Sequence, residues 1–428
     1  MPFPLPQYRN LLYTPSMTAS HLDSSYSWTR LAVALALSTI AGIGLWAGVV
    51  ILPTIQQEFG IDRSGAALPY TLTMIGFAIG GVVMGRLADR FGIMVPMLIG
   101  TVFLGVGFIA AAYAPSYWLF VAAQAGLIGL VGVGTSFGPL VADVSLWFQK
   151  RRGIAIAIVA SGNYLAGAIW PPFLTRAVEA HGWRNTYVAI GLFCMVLMTP
   201  LAFLLRRRAP TSDATLLSPD SSFKGTLSLQ ALLMLAGLAC CVAMSMPQVH
   251  IVAYCGDLGY GAARGAEMLS LMLGFGVLSR IASGFIADKI GGLATLIIGS
   301  VLQCLALIFY IPFDGLTSLY IVSALFGLSQ GGIVPSYALI VRDNFPAKEA
   351  GTRISLVLNS TVLGMALGGW LSGEIFDWTG SYQAAFLHGI AWNLLNLSIA
   401  AWLLAGRITL FPSPLAGEGG SRHLSRDG

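Results

Sequence analysis

The sequence predicts an all-α membrane protein in which twelve transmembrane helices form two pseudo-symmetric six-helix bundles. Three observations predict this fold class: an apolar composition, twelve apolar runs and a repeat that relates the two halves. Of the 428 residues, 56% are hydrophobic and 10% are charged, whereas soluble domains carry about 25% charged residues. The composition therefore excludes a cytosolic enzyme, a nucleic-acid-binding protein and a disordered chain.

The apolar runs set the number and order of the spans, since a bilayer core requires about 20 apolar residues per helix. A polar stretch from Arg206 to Gln230 separates six runs from six. We predict an N-terminal arm (1–29), an N-terminal bundle (30–206), a linker (207–226), a C-terminal bundle (227–406) and a disordered tail (407–428). The predicted spans are residues 31–53, 67–87, 94–113, 117–141, 153–175, 186–206, 227–253, 263–285, 293–312, 316–340, 352–373 and 382–405.

The basic residues predict the orientation of these spans. With the N-terminus inside, fourteen lysines and arginines fall on the inner side and four in the outer loops. Cytoplasmic loops carry such an excess of basic residues. We therefore expect a multi-pass protein of the cytoplasmic membrane with both termini in the cytoplasm.

An internal repeat relates the two halves at a nearly constant offset. The motif Gly85-x-x-x-Asp89-Arg90-x-Gly92 follows span 2, and Gly284-x-x-x-Asp288-Lys289-x-Gly291 follows span 8, with an offset of 199 residues. Transporters are often built from such repeats, with the substrate site near the midplane between them. The repeat predicts a transporter whose site lies between two homologous bundles.

These motifs resemble the signature loop of the major facilitator superfamily, and twelve spans agree with that fold. A narrower resemblance rests on Trp147-Phe-Gln-Lys-Arg-Arg-Gly153, Ala160-Ser-Gly162 and Pro171-Pro172. These segments are similar to the fourth-loop and fifth-helix signature of the monocarboxylate porter branch, which includes the oxalate–formate exchangers. The stretch from His250 to Asp257, followed by Arg280, is similar to bacterial members of that branch.

Arg280 is the only lysine or arginine well inside a predicted span. Charge within a membrane is costly and is functional by default. The repeat places Gly81 at the equivalent position of the first half, which favours substrate chemistry over a scaffold role. Two structural alternatives stay open: a side chain that snorkels to the interface, or an ion pair with an acid at the cytoplasmic end.

The resemblance implies that Arg280 binds a substrate carboxylate, for which a guanidinium offers a planar fork of donors. The chain also departs from the branch pattern. Gly276 stands where proton-coupled members carry an aspartate, and residues 31–53 and 352–373 lack the lysines found in other members. One fixed positive charge favours a single carboxylate and leaves the coupling ion unassigned.

Further polar or aromatic side chains lie midway along the spans and either line the substrate path or bond a neighbouring helix. His250, near the outer end of span 7, could bind substrate or accept a proton as a neutral imidazole, or it bonds to the backbone. The mid-span candidates are Tyr70, Gln124, Asn163, Tyr164, Gln330, Tyr337 and Asn359.

We predict a conformational latch at the cytoplasmic ends of the helices. Asp143 is expected to pair with Arg90 or Arg86, and Asp343 with Lys289. The remaining latch residues are the repeated motif positions Gly85, Asp89, Gly92, Gly284 and Asp288.

We expect a monomeric secondary transporter that moves a small mono- or dicarboxylate by alternating access, through proton symport or anion exchange. The sequence lacks a P-loop, which excludes ATP-driven transport by this chain, and we expect no enzymatic activity, metal or cofactor. The alternatives are an exporter of neutral or drug-like compounds from the same superfamily and a transport-dead membrane sensor. A cation exporter would carry an acid midway along a span, and no acid lies there.

Overall fold

Helices account for the regular structure throughout residues 22–148, 151–208, 227–345 and 347–410, which the computed structural model describes. Within these ranges no residue forms a strand, and twelve helical segments are long and apolar enough to cross a membrane. The predicted fold class and the predicted number of spans are thus confirmed. The predicted arm, linker and tail fall mostly on residues outside these ranges.

The first half contains six spans and one short connecting helix. Span 4 is irregular: a π-helical segment (Ala123–Gly132) and a 3-10 turn (Val133–Thr135) interrupt it. The α-helices are α1 (Ser25–Ala41) and α2 (Ile43–Val50) in span 1, the connecting α3 (Leu52–Phe59), α4 (Arg63–Phe91) in span 2, α5 (Met94–Ala112) in span 3, α6 (Tyr117–Ala122) and α7 (Gly138–Trp147) in span 4, α8 (Arg152–Ala160) and α9 (Gly162–His181) in span 5, and α10 (Trp183–Leu204) in span 6.

The second half repeats this arrangement after residue 226. Span 10, like span 4 in the first half, is interrupted; a turn follows Gln330. The helices are α11 (Leu227–Asp257) in span 7, α12 (Ala262–Ile290) in span 8, α13 (Gly292–Phe309) in span 9, α14 (Leu316–Gln330) and α15 (Ile333–Asn344) in span 10, α16 (Ala347–Thr379) in span 11, and α17 (Tyr382–Leu410) in span 12.

The two repeated motifs lie on helices rather than in loops, which corrects the predicted ends of spans 2 and 8. Helix α4 continues through Asp89 to Phe91, and α12 continues through Asp288 to Ile290. The chain reverses at Gly92 (φ +83°) and Gly291 (φ +82°). Glycine adopts such positive φ values without a steric penalty, so one residue suffices to end each helix. We call this end of the molecule the basic face.

The two halves meet along a few helices. Span 2 packs against span 11, and span 5 packs against span 8. At the first of these interfaces the Thr71 hydroxyl donates to the Ala366 carbonyl oxygen over 3.0 Å, in a buried position. The substrate site predicted between the halves must therefore be sought near spans 2, 5, 8 and 11.

Candidate functional site

Arg280 joins the two halves of the molecule. Its Nη1 donates to the Ala160 carbonyl oxygen of span 5 over 2.8 Å, and its Nε donates to the Gly331 carbonyl oxygen of span 10 over 3.3 Å. The guanidinium carbon lies 4.1 Å from the centre of the Tyr164 ring. The described ranges contain four ion pairs, and Arg280 belongs to none of them. Among the described residues, its charge is stabilised by neutral carbonyl groups and by the aromatic side chain of Tyr164.

Gln330 and Gly276 complete the surroundings of this arginine. A Cβ atom at Gly276 would lie 3.0 Å from the Tyr164 ring and 3.6 Å from Gln330 Nε2, so glycine allows both side chains to approach α12. Gln330 is fully buried; its Oε1 accepts from Gln248 Nε2 over 2.5 Å, and its own Nε2 has no partner. The Arg280 cluster (Arg280, Tyr164, Gln330 and Gln248) thus combines a cation with an unused amide donor.

A second contact between the halves closes the end opposite the basic face. Arg63, at the start of span 2, donates from Nη2 to the carboxylate of Asp257 over 2.7 Å. The Asp377 carboxylate accepts from the backbone N–H groups of Arg63 (2.9 Å) and Ser64 (2.7 Å). Because free N–H groups at a helix start favour a negative charge, Asp377 caps α4 from the other half. We call these residues the Arg63 lock.

A cavity of 680 Å³ opens between the halves at the basic face. Span 2 contributes Arg86 and Asp89 to its lining, and span 11 contributes Leu358 and Asn359. The molecule is therefore joined by the Arg63 lock at one end and separated by a cavity at the other. Of the predicted mid-span candidates, Asn359 alone lines this cavity among the described residues.

Asp143 has a different partner from the one predicted. Both of its carboxylate oxygens accept from Arg30, from Nε and from Nη2, each over 2.8 Å. The Arg30 side chain is 1% exposed, lies over the Trp147 ring at 4.6 Å and also donates to the Leu205 carbonyl oxygen. Arg30 therefore ties spans 1, 4 and 6 together, and the predicted pairing of Asp143 with Arg90 or Arg86 is wrong in this conformation.

The predicted pairing of Asp343 with Lys289 is also missing from the described ranges, where neither residue joins any of the four ion pairs. Both side chains are exposed at the basic face. Water therefore screens their charges, and a pair of exposed ions contributes little.

The model of the Major Facilitator Superfamily matches residues 34–319 and 277–424 of the sequence. The chain belongs to the Major Facilitator Superfamily. The membership confirms the resemblance carried by the repeated motifs, and it assigns the chain to a family of transporters.

Proteins similar to this chain have names that indicate different transport roles. The agnestins efflux protein AgnL12 of Paecilomyces divaricatus is 25% identical over 85% of this chain and 84% of its own length. Monocarboxylate transporter 13 of Bos taurus is 24% identical over 87% of this chain and 90% of its own length. A solved structure of a bacterial homologue of the human lysosomal transporter Spinster, inward-facing and occupied, has a TM-score of 0.69 at 15% identity, covering 92% of this chain and 100% of that chain. The last likeness concerns the fold alone.

Three of the predicted substrate ligands are bonded within one half of this superfamily member. Gln124 donates to the Tyr187 hydroxyl over 2.9 Å, and the Tyr337 hydroxyl donates to Asn396 over 2.7 Å, both in buried positions. His250 is fully buried, and its Nε2 lies 2.8 Å from the Gly369 carbonyl oxygen. These contacts correspond to the structural alternative for each residue.

Asn163 and Tyr70, the two remaining predicted substrate ligands, lie close to the boundary between the halves. Asn163 precedes Tyr164 and accepts from Trp46 Nε1 through its side-chain oxygen (3.2 Å) and its backbone oxygen (3.1 Å). Tyr70 is buried in span 2 against Gly369 of span 11, and its hydroxyl has no partner. Tyr70 therefore offers a second unused polar group where the halves meet.

Arg30, Arg63 and Gln248 were not predicted from the sequence as functional residues. Arg30 directly precedes the predicted start of span 1 at residue 31, and Arg63 lies four residues before the predicted start of span 2 at residue 67, so both fell outside the predicted spans. The structure includes Arg30 and Arg63 within helices, at 2% and 5% exposure. The acids Asp257 and Asp377, at the ends of spans 7 and 11, were the available signal for the Arg63 lock.

Proposed function

We propose that this chain is a secondary transporter of small organic anions, mono- or dicarboxylates, and that Arg280 binds the substrate carboxylate. The observation that carries the proposal is the contact set of Arg280: neutral carbonyl oxygens, an aromatic ring and no carboxylate among the described residues. An arginine within a membrane pairs with an acid or with backbone carbonyls, or faces a water-filled cavity. Arg280 has the carbonyls and no acid among the described residues. A substrate carboxylate would supply the missing anion.

Substrate binding would also change the contact between the halves. Arg280 in span 8 holds the Ala160 carbonyl oxygen of span 5. A carboxylate forms stronger hydrogen bonds to a guanidinium than a neutral carbonyl does, so a bound substrate would displace Ala160 and release this contact. A ligand shifts a conformational equilibrium only through such a difference in interactions between the two states.

In this proposal the basic face is the cytoplasmic side of the membrane, since basic residues favour that side. The cavity beside Arg86 and Asn359 is then open to the cytoplasm, and the Arg63 lock closes the outside. Residues 30–206 and 227–406 act as the two bundles that rock about the Arg280 cluster. Both termini are cytoplasmic, and the coupling is either proton symport or anion exchange.

A second candidate function is export, because the relative that covers 85% of this chain is named an efflux protein. The direction of transport and the substrate are tested together in proteoliposomes. Labelled mono- and dicarboxylates and neutral drug-like compounds are offered under inward and outward proton gradients and with internal counter-anions. We expect transport of a carboxylate; transport of neutral compounds alone would support the export alternative and contradict the anion proposal.

A further inference from the structure

The cavity at the basic face has an unbalanced charge. Its described lining includes four arginines, Arg86, Arg206, Arg207 and Arg208, and two acids, Asp89 and Asp143. Both carboxylate oxygens of Asp143 are bonded to Arg30, so this acid is already neutralised. Asp89 is then the remaining acid in this lining, and its single negative charge faces four arginines. The excess positive charge attracts an anion into the cavity.

The arginines that line this cavity are available to a ligand to different degrees. Arg208 donates to the Arg90 carbonyl oxygen, and Arg207 lies over the Tyr26 ring at 4.9 Å. Arg86 and Arg206 are exposed and take part in none of the ion pairs of the described ranges. Two guanidinium groups can therefore turn toward an anion without breaking an ion pair.

The same cavity has an apolar wall. Val82 of span 2 and Leu146 of span 4 line the cavity, and they are 42% and 54% exposed. On the other side, Leu358 and Val362 of span 11 continue the apolar lining. A soluble anion would gain nothing from this wall, whereas an amphipathic anion matches both parts.

We propose that this cavity binds an anionic glycerophospholipid from the leaflet at the basic face. The phosphate lies near Arg86 and Arg206, and an acyl chain follows Val82 and Leu146. Because the lining comes from both halves, a lipid in this position keeps the basic-face ends of spans 2 and 11 apart and favours the conformation with an open basic face. The inference does not depend on the substrate carried by Arg280.

The test measures binding of phosphatidylglycerol to the purified full chain in a neutral detergent, by native mass spectrometry and by thermal stabilisation. Phosphatidylcholine with the same acyl chains and soluble glycerol 3-phosphate are the reference ligands. We expect phosphatidylglycerol to bind more tightly than either. The double variant Arg86→Gln/Arg206→Gln should lower the affinity for phosphatidylglycerol roughly twentyfold, since each basic residue near an anionic lipid contributes about fivefold to its affinity.

The matched control is Lys289→Gln/Arg342→Gln, which removes two charges from the basic face outside the cavity lining. It should change phosphatidylglycerol affinity by less than about twofold, because exposed charges beyond contact distance are screened. A second variant, Leu146→Asn, should weaken the binding of phosphatidylglycerol and leave the binding of glycerol 3-phosphate unchanged. Equal losses in the control and the cavity variant, equal binding of phosphatidylcholine, or full competition by glycerol 3-phosphate would each overturn the proposal.

Discussion

Arg30 and Arg280 are both arginines within membrane spans, and their contacts differ in kind. Arg30 holds a carboxylate through two hydrogen bonds of 2.8 Å, inside one half of the molecule. Arg280 holds two carbonyl oxygens, one from each half. A charge with a permanent carboxylate partner stabilises the fold, whereas a charge with neutral partners can accept a carboxylate from outside. We propose that the difference in partners, rather than position in the membrane, distinguishes the arginine that binds substrate from the arginine that stabilises the fold.

The largest effect is expected where the permanent pair is broken. Arg30→Ala leaves Asp143, whose side chain is 11% exposed, without its partner. Removing one partner of a buried pair typically destabilises a protein by about 3–5 kcal/mol. Thermal unfolding of the purified protein should show a large loss, and membrane expression should fall. The double variant Arg30→Met/Asp143→Leu removes both charges and should recover much of the stability. Unchanged stability in Arg30→Ala would show that the pair is not structural.

Arg280→Ala should affect ligand affinity instead of stability. Loss of charge-assisted hydrogen bonds costs about 1.5–3 kcal/mol, which corresponds to about one to two decades in carboxylate affinity. Arg280→Lys keeps the charge and loses the planar fork, so its affinity should lie between those of wild type and Arg280→Ala. Isothermal titration with the transported carboxylate measures all three; equal affinities would remove the reason to assign a carboxylate substrate.

The Arg63 lock should set the balance between conformations with a smaller effect. Arg63→Gln loses the ion pair with the partly exposed Asp257, and we expect a shift of about 1 kcal/mol toward an open opposite face. Electron paramagnetic resonance would measure this opening as an increase in the distance between spin labels attached at Glu179→Cys and Asp314→Cys. The control is Arg264→Gln, whose pair with Glu267 lies within one helix and is largely exposed. A similar shift in the control would contradict the role of the lock.

The smallest effect on ligand binding is expected at the repeated acids. Asp89→Asn and Asp288→Asn change residues at the helix ends of the basic face, where both side chains are exposed. Carboxylate affinity should change by less than about threefold, while the transport rate in proteoliposomes falls, because these residues act on the conformational equilibrium. Loss of affinity with the fold preserved would place the acids nearer the substrate than we propose.

The fold could be predicted because a bilayer imposes span length and apolar composition directly on the sequence. The partners of Asp143 and Arg63 could not be predicted in this way. Arg30 lies 113 residues before Asp143, and Asp377 lies 314 residues after Arg63, so nothing local specifies either contact.

The sequence also does not indicate whether a polar side chain faces the substrate path or a neighbouring helix. Helices in lipid are apolar both toward the bilayer and toward their neighbours, so no hydrophobic stripe indicates the buried side. Gln124 and Gln330 are therefore alike in the sequence. In the structure Gln124 donates to Tyr187, whereas Gln330 leaves its Nε2 without a partner within the Arg280 cluster. Arg280 could be identified because a charge deep in a span is rare in itself.

The comparison of the two arginines is tested most directly by measuring carboxylate affinity and thermal stability on the same samples of Arg280→Ala and Arg30→Ala. We expect opposite losses: Arg280→Ala keeps its thermal stability and loses at least about tenfold in carboxylate affinity. The folded fraction of Arg30→Ala is less stable and binds the carboxylate like the wild type. Normal affinity with reduced stability in Arg280→Ala would contradict the account, because Arg280 would then be a structural residue like Arg30.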